Sequence, residues 1–189
     1  GVNIANASPI GDSAPALISL DSSLVIHGKK IRLIKLKEFF ISYKKTIMEK
    51  NEFIKEIIIP IDKYSIFKCY KISKRFDDDI SAVFMAINLK LENQIIKKIS
   101  ITLGGMAEIP KSAIKTEKFL KRKKFNQKNI DLAKEYLSED FNPITDMRAS
   151  KNYRNKISQN LLEKFYHETL NKKEITIHSW IILKNYLLQ

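Results

Sequence analysis

The chain has 189 residues with 44% hydrophobic content, which is enough to bury the core of a medium-sized domain and excludes a wholly disordered protein. Its formal net charge is +13 at pH 7. A single cysteine, Cys69, excludes a disulfide framework, a thiolate zinc site and an iron–sulfur cluster, because each needs several thiolates. The three histidines do not share the spacing of metal ligands, so the sequence predicts no metal site of its own.

The positive charge comes mainly from lysines scattered along the chain, since only five of the 34 basic residues are arginines. Recognition of nucleic acid favours arginine forks interleaved with aromatic side chains. The one dense basic run, residues 121–124, is either a solvated loop or a phosphate-binding patch, and the first alternative is favoured. The sequence therefore does not favour nucleic acid as a partner.

No segment has the length and apolarity of a membrane span. Residues 175–189 are apolar, but the run is short and Lys184 interrupts it. The chain begins at Gly1 without the charged and apolar regions of a secretory signal. These features predict a cytoplasmic protein whose natural start lies upstream.

The first part of the chain predicts short elements that follow an opening loop rich in small residues. In chain order they are a helix over residues 14–20, a hairpin of strands 23–27 and 30–34 around Gly28, a helical turn over 36–40, and a strand over 53–59 closed by Pro60. The polar residues 62–64 predict a boundary.

The second part of the chain predicts strands first and helices afterwards. A strand over 65–73 is followed by an antiparallel pair over 81–92 and 94–103, with one buried face. Helical spacing of apolar residues then occurs over 113–120, 130–137 and 153–165. This order favours an α+β fold over a doubly wound sheet.

The motifs of several common catalytic sites are missing. The five glycines lie at positions 1, 11, 28, 104 and 105, so neither a dinucleotide-binding G-x-G-x-x-G nor a P-loop can be drawn. No Ser-His-Asp or Cys-His set has supporting context. The sequence therefore predicts no catalytic residue.

Four local segments carry the remaining chemical signal. The first, GVNIANASPIGD, is a small-residue loop whose backbone N–H groups could approach a phosphate or a flavin. The second, YKISKRFDDDIS, places basic residues just before three acidic ones at a junction between strands. The third, LGGMAEIPKSA, ends a strand with paired glycines, and the fourth, DFNPITDMRAS, offers Ser150 as the N-cap of the last helix.

In this order and spacing, the four segments resemble the flavin subunit of xanthine dehydrogenase, of the molybdenum hydroxylase flavoprotein family, over residues 1–169. The resemblance implies that residues 1–60 are the end of a PCMH-type FAD-binding domain. Residues 66–169 would be a CO dehydrogenase flavoprotein C-terminal-like domain, with a three-stranded antiparallel sheet plus helices. Residues 170–189 form a tail unlike the family.

The resemblance also implies cofactor contacts in the opening loop. Asn3 and Asp12 match positions that contact FAD, and Ser8 is a candidate in the same loop. Relatives usually have Gly-Gly-Asn where this chain has Gly-Val-Asn, and a β-branched residue disfavours positive φ there. An alternative that remains open is that Asp12 only caps the helix that follows.

Three further positions match residues around the flavin. Ile54 matches an apolar position packed on the cofactor, Lys71 a lysine near the ring, and Asp78 an acidic position close to the ring. The alternatives are that Ile54 belongs to the core and that residues 77–79 form a solvated turn paired with Lys74 and Arg75.

In such an enzyme, this subunit passes electrons from an iron–sulfur cluster to FAD and then, as hydride, to NAD. The resemblance implies a molybdopterin-binding large subunit as the partner that hydroxylates the substrate. The other FAD loop and the [2Fe-2S] domain would belong to a missing N-terminal segment, so the chain alone is expected to be inactive and to bind FAD weakly. The alternative is a non-catalytic basic binding module that retains the fold, with nucleic acid as its candidate partner.

Overall fold

A computed structural model describes residues 2–75 and 79–171. The N-terminal region contains two short helices and five strands. They are α1 (Val2–Ala5), α2 (Ser13–Ser19), β1 (Ser23–His27), β2 (Ile31–Lys35), a 3₁₀ turn (Leu36–Glu38), β3 (Phe40–Ser42), β4 (Lys45–Thr46) and β5 (Phe53–Ile58). Strands β2, β1 and β5 form an antiparallel sheet in that order, and β3 pairs with β4.

Alternation along β1 builds the core of the N-terminal region. Leu24 and Ile26 are fully buried, whereas the residues between them are half-buried. Ile4 and Ala7 of the opening segment pack into the same cluster, together with Ala14 and Ile18 of α2. The opening segment is therefore fixed to the sheet by burial of its own apolar residues.

Residues 66–171 of the C-terminal region, as far as the structure describes it, form four strands followed by three helices. They are β6 (Ile66–Ile72), β7 (Val83–Glu92), β8 (Ile95–Gly104), β9 (Lys111–Ser112), α3 (Ile114–Leu120), α4 (Gln127–Asp140) and α5 (Lys151–Asn171). The sheet order is β6-β7-β8-β9, with every pair antiparallel. The predicted three-stranded sheet gains a two-residue fourth strand, β9. The sequence predicts a helix whose first turn lies near Pro110, and this prediction is wrong: residues 111–112 pair with β8, and α3 begins only at Ile114. Together the two regions give the expected α+β class.

Both faces of β7 are buried, although the sequence predicts only one buried face. Val83, Met85 and Ile87 are buried in the same cluster as apolar residues of the three C-terminal helices, and α5 lies directly against β7. On the opposite face, Ala86 is fully buried, and Asn88 donates its side-chain N–H to the carbonyl of Ser19 at the end of α2. The nearly continuous apolar run of β7 is typical of a strand covered on both sides.

Two other local predictions have clear outcomes. Ser150 caps α5, since its hydroxyl accepts a hydrogen bond from the N–H of Tyr153 at 3.2 Å. The opening segment contains a helical turn, α1, where the sequence predicts only a loop, and the β3–β4 hairpin is not predicted by the sequence.

In the part of the chain that the structure describes, no helix is long and apolar enough to cross a membrane.

Candidate functional site

The opening loop is closed by contacts among its own residues. The side-chain oxygen of Asn3 accepts a hydrogen bond from the hydroxyl of Ser13 at 2.5 Å. The backbone N–H of Gly11 donates to the carbonyl of Ser8 at 3.3 Å. A Cβ atom at Gly11 would lie only 2.7 Å from Asn3 Oδ1, so a larger residue there would displace the Asn3 side chain from this position. Asn3, a residue of α1, is thereby tied to the start of α2, with its side chain exposed.

Asp12 connects this loop to the C-terminal sheet. One carboxylate oxygen accepts a hydrogen bond from the buried Ser81 hydroxyl at 2.5 Å, and the other lies 3.1 Å from Lys71 Nζ. Asp12 makes no side-chain capping bond to α2, so the alternative that it only caps this helix does not describe the structure. Two of the predicted site residues, Asp12 and Lys71, are therefore in direct contact. We call Asp12, Lys71 and Ser81 the junction.

A second contact between the two regions lies beside the junction. The backbone N–H of Gly105 donates to the carbonyl of Pro9 at 2.8 Å. Gly105 has φ +78°, a conformation that glycine adopts without strain, whereas the neighbouring Gly104 has no such requirement and packs near Pro15 of α2. The paired glycines thus let the end of β8 approach the opening loop closely.

The charges at the junction remain accessible. The side chains of Lys71 and Asp12 are 45% and 33% exposed. Ion pairs at this exposure contribute only about 0–1 kcal/mol, so solvent or a ligand can compete for either partner. The nearby Cys69 is exposed, but partial desolvation of its thiol, with a contribution from the Asp12 charge, raises its pKa to about 11. This thiol is therefore protonated at neutral pH, and the charged side chains of the junction itself are the Lys71–Asp12 pair.

The other predicted site residues lie around the junction. Ser8 is half-buried in the loop, next to Pro9. Ile54 lies on β5 opposite Ile26 and packs against the N-terminal core that also contains Ile4, so it is joined to the loop through that core.

Asp78 lies outside the described residues, together with Phe76 and Asp77. Its neighbour Asp79 accepts hydrogen bonds from the backbone N–H groups of Arg75 and Ile80, at 2.9 and 2.8 Å. These bonds lower the pKa of Asp79. The alternative of a turn paired with Arg75 therefore describes Asp79.

Sequence reasoning misses three contributors to this surface. Ser81 ends the second segment but is not among the predicted residues, because a serine hydroxyl carries no distinctive signal. The carbonyl of Pro9 is a backbone group that no sequence pattern identifies. Arg154 is 1% exposed and reaches the same surface from α5, although its sequence context is that of an ordinary helical surface residue.

Comparison with known proteins shows the family. Residues 1–62 match the FAD binding domain in molybdopterin dehydrogenase, and residues 68–169 match the CO dehydrogenase flavoprotein C-terminal domain. The chain belongs to the molybdenum hydroxylase flavoprotein family. Among its relatives is the xanthine dehydrogenase of Emericella nidulans, which is 32% identical over 178 residues covering 91% of this chain. The chain spans only 13% of that relative.

Shorter relatives show the same region as part of a separate subunit. The glyceraldehyde dehydrogenase medium chain of Sulfolobus acidocaldarius is 28% identical, and the match covers 89% of this chain and 60% of the relative. The reconstituted CO dehydrogenase from Oligotropha carboxidovorans superposes with a TM-score of 0.80 at 22% identity. That match covers 86% of this chain and 57% of the CO dehydrogenase chain, and it shows a common fold.

Proposed function

We propose that this chain forms one wall of an FAD site in a molybdenum hydroxylase of the xanthine dehydrogenase type, where FAD relays electrons from an iron–sulfur cluster to NAD. The observation that carries the proposal is the junction. It joins the opening loop, which holds Asn3, Ser8 and Asp12, to the strand that carries Lys71. Two residues predicted from distant segments, Asp12 and Lys71, are thus in contact and partly exposed.

The groups at this surface fit FAD. The cofactor presents phosphates, ribityl hydroxyls and ring carbonyls, which need amide, hydroxyl and cationic partners. Asn3 offers a side-chain amide, Ser8 a hydroxyl and Lys71 an ammonium. Asp12 can accept from a hydroxyl, as it does from Ser81. Ile54 would provide apolar packing from β5.

Bound FAD would supply one-electron exchange with an iron–sulfur cluster and hydride transfer to NAD. The protein's part is to hold charge near the ring. The Lys71 ammonium would favour a reduced, anionic flavin, and the Asp12 carboxylate would oppose it and keep the lysine in place. Asp78 matches an acidic position of the family, and we infer that it would add a second opposing charge near the ring.

The remainder of the enzyme is proposed from the relatives. The CO dehydrogenase chain and the glyceraldehyde dehydrogenase medium chain are each longer than the matched region. We infer that polypeptide outside these 189 residues supplies the other FAD loop and a [2Fe-2S] domain. A molybdopterin-binding large subunit would hydroxylate the substrate. Relatives are named for substrates as different as xanthine, nicotinate and glyceraldehyde, so the flavin-bearing wall does not select the substrate. We propose a cytoplasmic location.

Replacing Lys71 by methionine in an FAD-loaded subunit is expected to lower the flavin midpoint potential. Loss of the cation leaves the Asp12 carboxylate without its partner, so the reduced anion is less stable. A change of about 0.5–2 kcal/mol at this exposure corresponds to roughly 10–40 mV for a two-electron couple. A redox titration followed by flavin absorbance measures the shift.

Asp12→Asn should shift the flavin midpoint potential in the opposite direction. The variant leaves Lys71 unopposed and should therefore raise the potential. Lys118→Met removes an exposed lysine on α3 and serves as the control for net charge. If all three variants keep FAD and the wild-type potential, the junction does not face the ring.

A further inference from the structure

Arg154 is a buried cation on α5, and its side chain extends towards the junction and the opening loop. The residue is 1% exposed, and its backbone N–H donates to the carbonyl of the cap residue Ser150. A buried guanidinium must have partners that offset its desolvation. The identity of these partners shows what the residue holds in place.

The guanidinium joins three separate segments. Its Nη1 group donates to the carbonyl of Ala82 and, at 2.8 Å, to the carbonyl of Gly105. Its Nη2 group donates to Asp146 Oδ1 at 2.7 Å. Asp146 is fixed in turn, since the same oxygen accepts the backbone N–H groups of Arg148 and Ala149. Arg154 therefore links the start of β7, the end of β8 and the turn before α5.

Both carbonyls adjoin the groups that hold the opening loop. Ala82 directly follows Ser81, whose hydroxyl binds Asp12. The N–H of Gly105 itself binds the carbonyl of Pro9. A Cβ at Gly105 would overlap the Ala82 carbonyl and lie 3.1 Å from Arg154 Nη1, so no other side chain fits between them. One guanidinium thus fixes the spacing of the two hydrogen bonds, Ser81–Asp12 and Gly105–Pro9, that tie the opening loop to the C-terminal sheet.

We propose that Arg154 is a positioning residue for the opening loop and that it acts through the Ala82 and Gly105 carbonyls. Its link to FAD rests on the function proposed above. A planar guanidinium can bind two carbonyls and a carboxylate at once in fixed directions. An ammonium at the end of a flexible stem cannot reproduce this fork. Arg154 thereby acts on the loop indirectly, through these two carbonyls.

Hydrogen exchange in the full chain without FAD tests the positioning directly. Arg154→Lys keeps the charge and should speed exchange of the Gly105 amide about tenfold, the factor expected when one buried hydrogen bond is weakened. Amides at the centre of β7, such as Ile87, should exchange as in the wild type. Ile157→Val, one turn further along α5, is the control that perturbs the same helix without touching either carbonyl.

Equal acceleration of the Gly105 and Ile87 amides would show that Arg154 only stabilises the whole fold, and would overturn the proposal. Unchanged exchange at Gly105 would overturn it as well. If Arg154→Lys folds too poorly to measure, Asp146→Asn removes the anion that orients the guanidinium. It should give the same selective pattern with a smaller amplitude, and a uniform acceleration would count against the proposal.

The FAD dissociation constant separately tests whether Arg154 affects cofactor binding. In an FAD-loaded subunit, Arg154→Lys should raise the FAD dissociation constant about tenfold, because the loop is less well held, while Ile157→Val should leave it near the wild-type value. Equal FAD affinity in Arg154→Lys and the wild type would contradict the link. If the wild type itself binds no FAD, the proposed function fails, whereas the exchange measurement still decides the role of Arg154 in positioning the loop.

Discussion

Gly105→Ala is expected to destabilise the protein by about 3 kcal/mol or more. The residue has φ +78°, where a Cβ is strained, and the added atom would overlap the carbonyl of Ala82. Relief requires movement of the β7 start or the end of β8, and both are tied to Arg154. Urea unfolding followed by circular dichroism measures the loss.

The adjacent Gly104 provides the matched control. It lacks the positive φ, and the nearest obstacle to an added Cβ is the ring of Pro15, at 3.1 Å. We expect Gly104→Ala to cost about 1 kcal/mol, because the ring of Pro15 needs to shift only slightly. Equal losses of unfolding free energy for the two variants would show that the positive φ of Gly105 is not the cause of the destabilisation.

Glu117→Gln is expected to make the protein more stable at pH 8 and to remove a pH dependence. Glu117 lies on α3, and one carboxylate oxygen accepts the backbone N–H of Ile101 at 2.7 Å. Burial, aided by the charge of Asp140, raises the pKa of Glu117 to about 7, against the opposing effects of the Ile101 N–H, Ser100 and Lys37. The folded state therefore holds this proton more tightly than the unfolded state.

The sign of the pH dependence follows from this raised pKa. The stabilising contribution is complete below the ordinary glutamate pKa of about 4.5 and is lost as the pH rises towards 7. We expect the wild type to lose about 1–3 kcal/mol over this range from this group. Glutamine keeps an oxygen for Ile101 and carries no charge, so the variant should lack this loss.

Chemical denaturation at pH 5 and pH 8 measures the effect, with Glu139→Gln as the control. Glu139 is an exposed carboxylate that pairs with Lys115, so its replacement should change stability little at either pH. A Glu117→Gln variant with the same pH profile as the wild type would contradict the raised pKa.

Much of the fold is predictable because its longer elements have strong local patterns. The antiparallel pair β7–β8 follows from apolar runs that meet at Glu92 and Asn93, where positive φ at Asn93 and Gln94 forms the tight turn. The last helix follows from its apolar spacing and its Ser150 cap. The covering of β7 by α2 is not predictable, because a local pattern does not reveal which distant helix covers a second face.

The site is predictable only in part. Asn3, Asp12 and Lys71 are found through a resemblance to a family, and nothing in their spacing indicates a contact. Asp12 and Ser81 are 69 residues apart, and Arg154 is 72 residues from Ala82, so these contacts exist only after the two regions pack. A buried arginine that binds backbone carbonyls has no sequence signature, since its partners can be any residue type.

FAD binding by a subunit that joins this chain to the FAD-binding segment proposed above tests the central claim most directly. Titration of the cofactor, followed by flavin fluorescence, should show stoichiometric binding by the wild type. The double variant Asn3→Ala/Asp12→Ala should bind at least about tenfold more weakly, because it removes the amide and the carboxylate that position the loop. Lys118→Met should bind as the wild type does. Stoichiometric binding of equal affinity by the double variant, or no FAD binding by the wild-type subunit, would contradict the account.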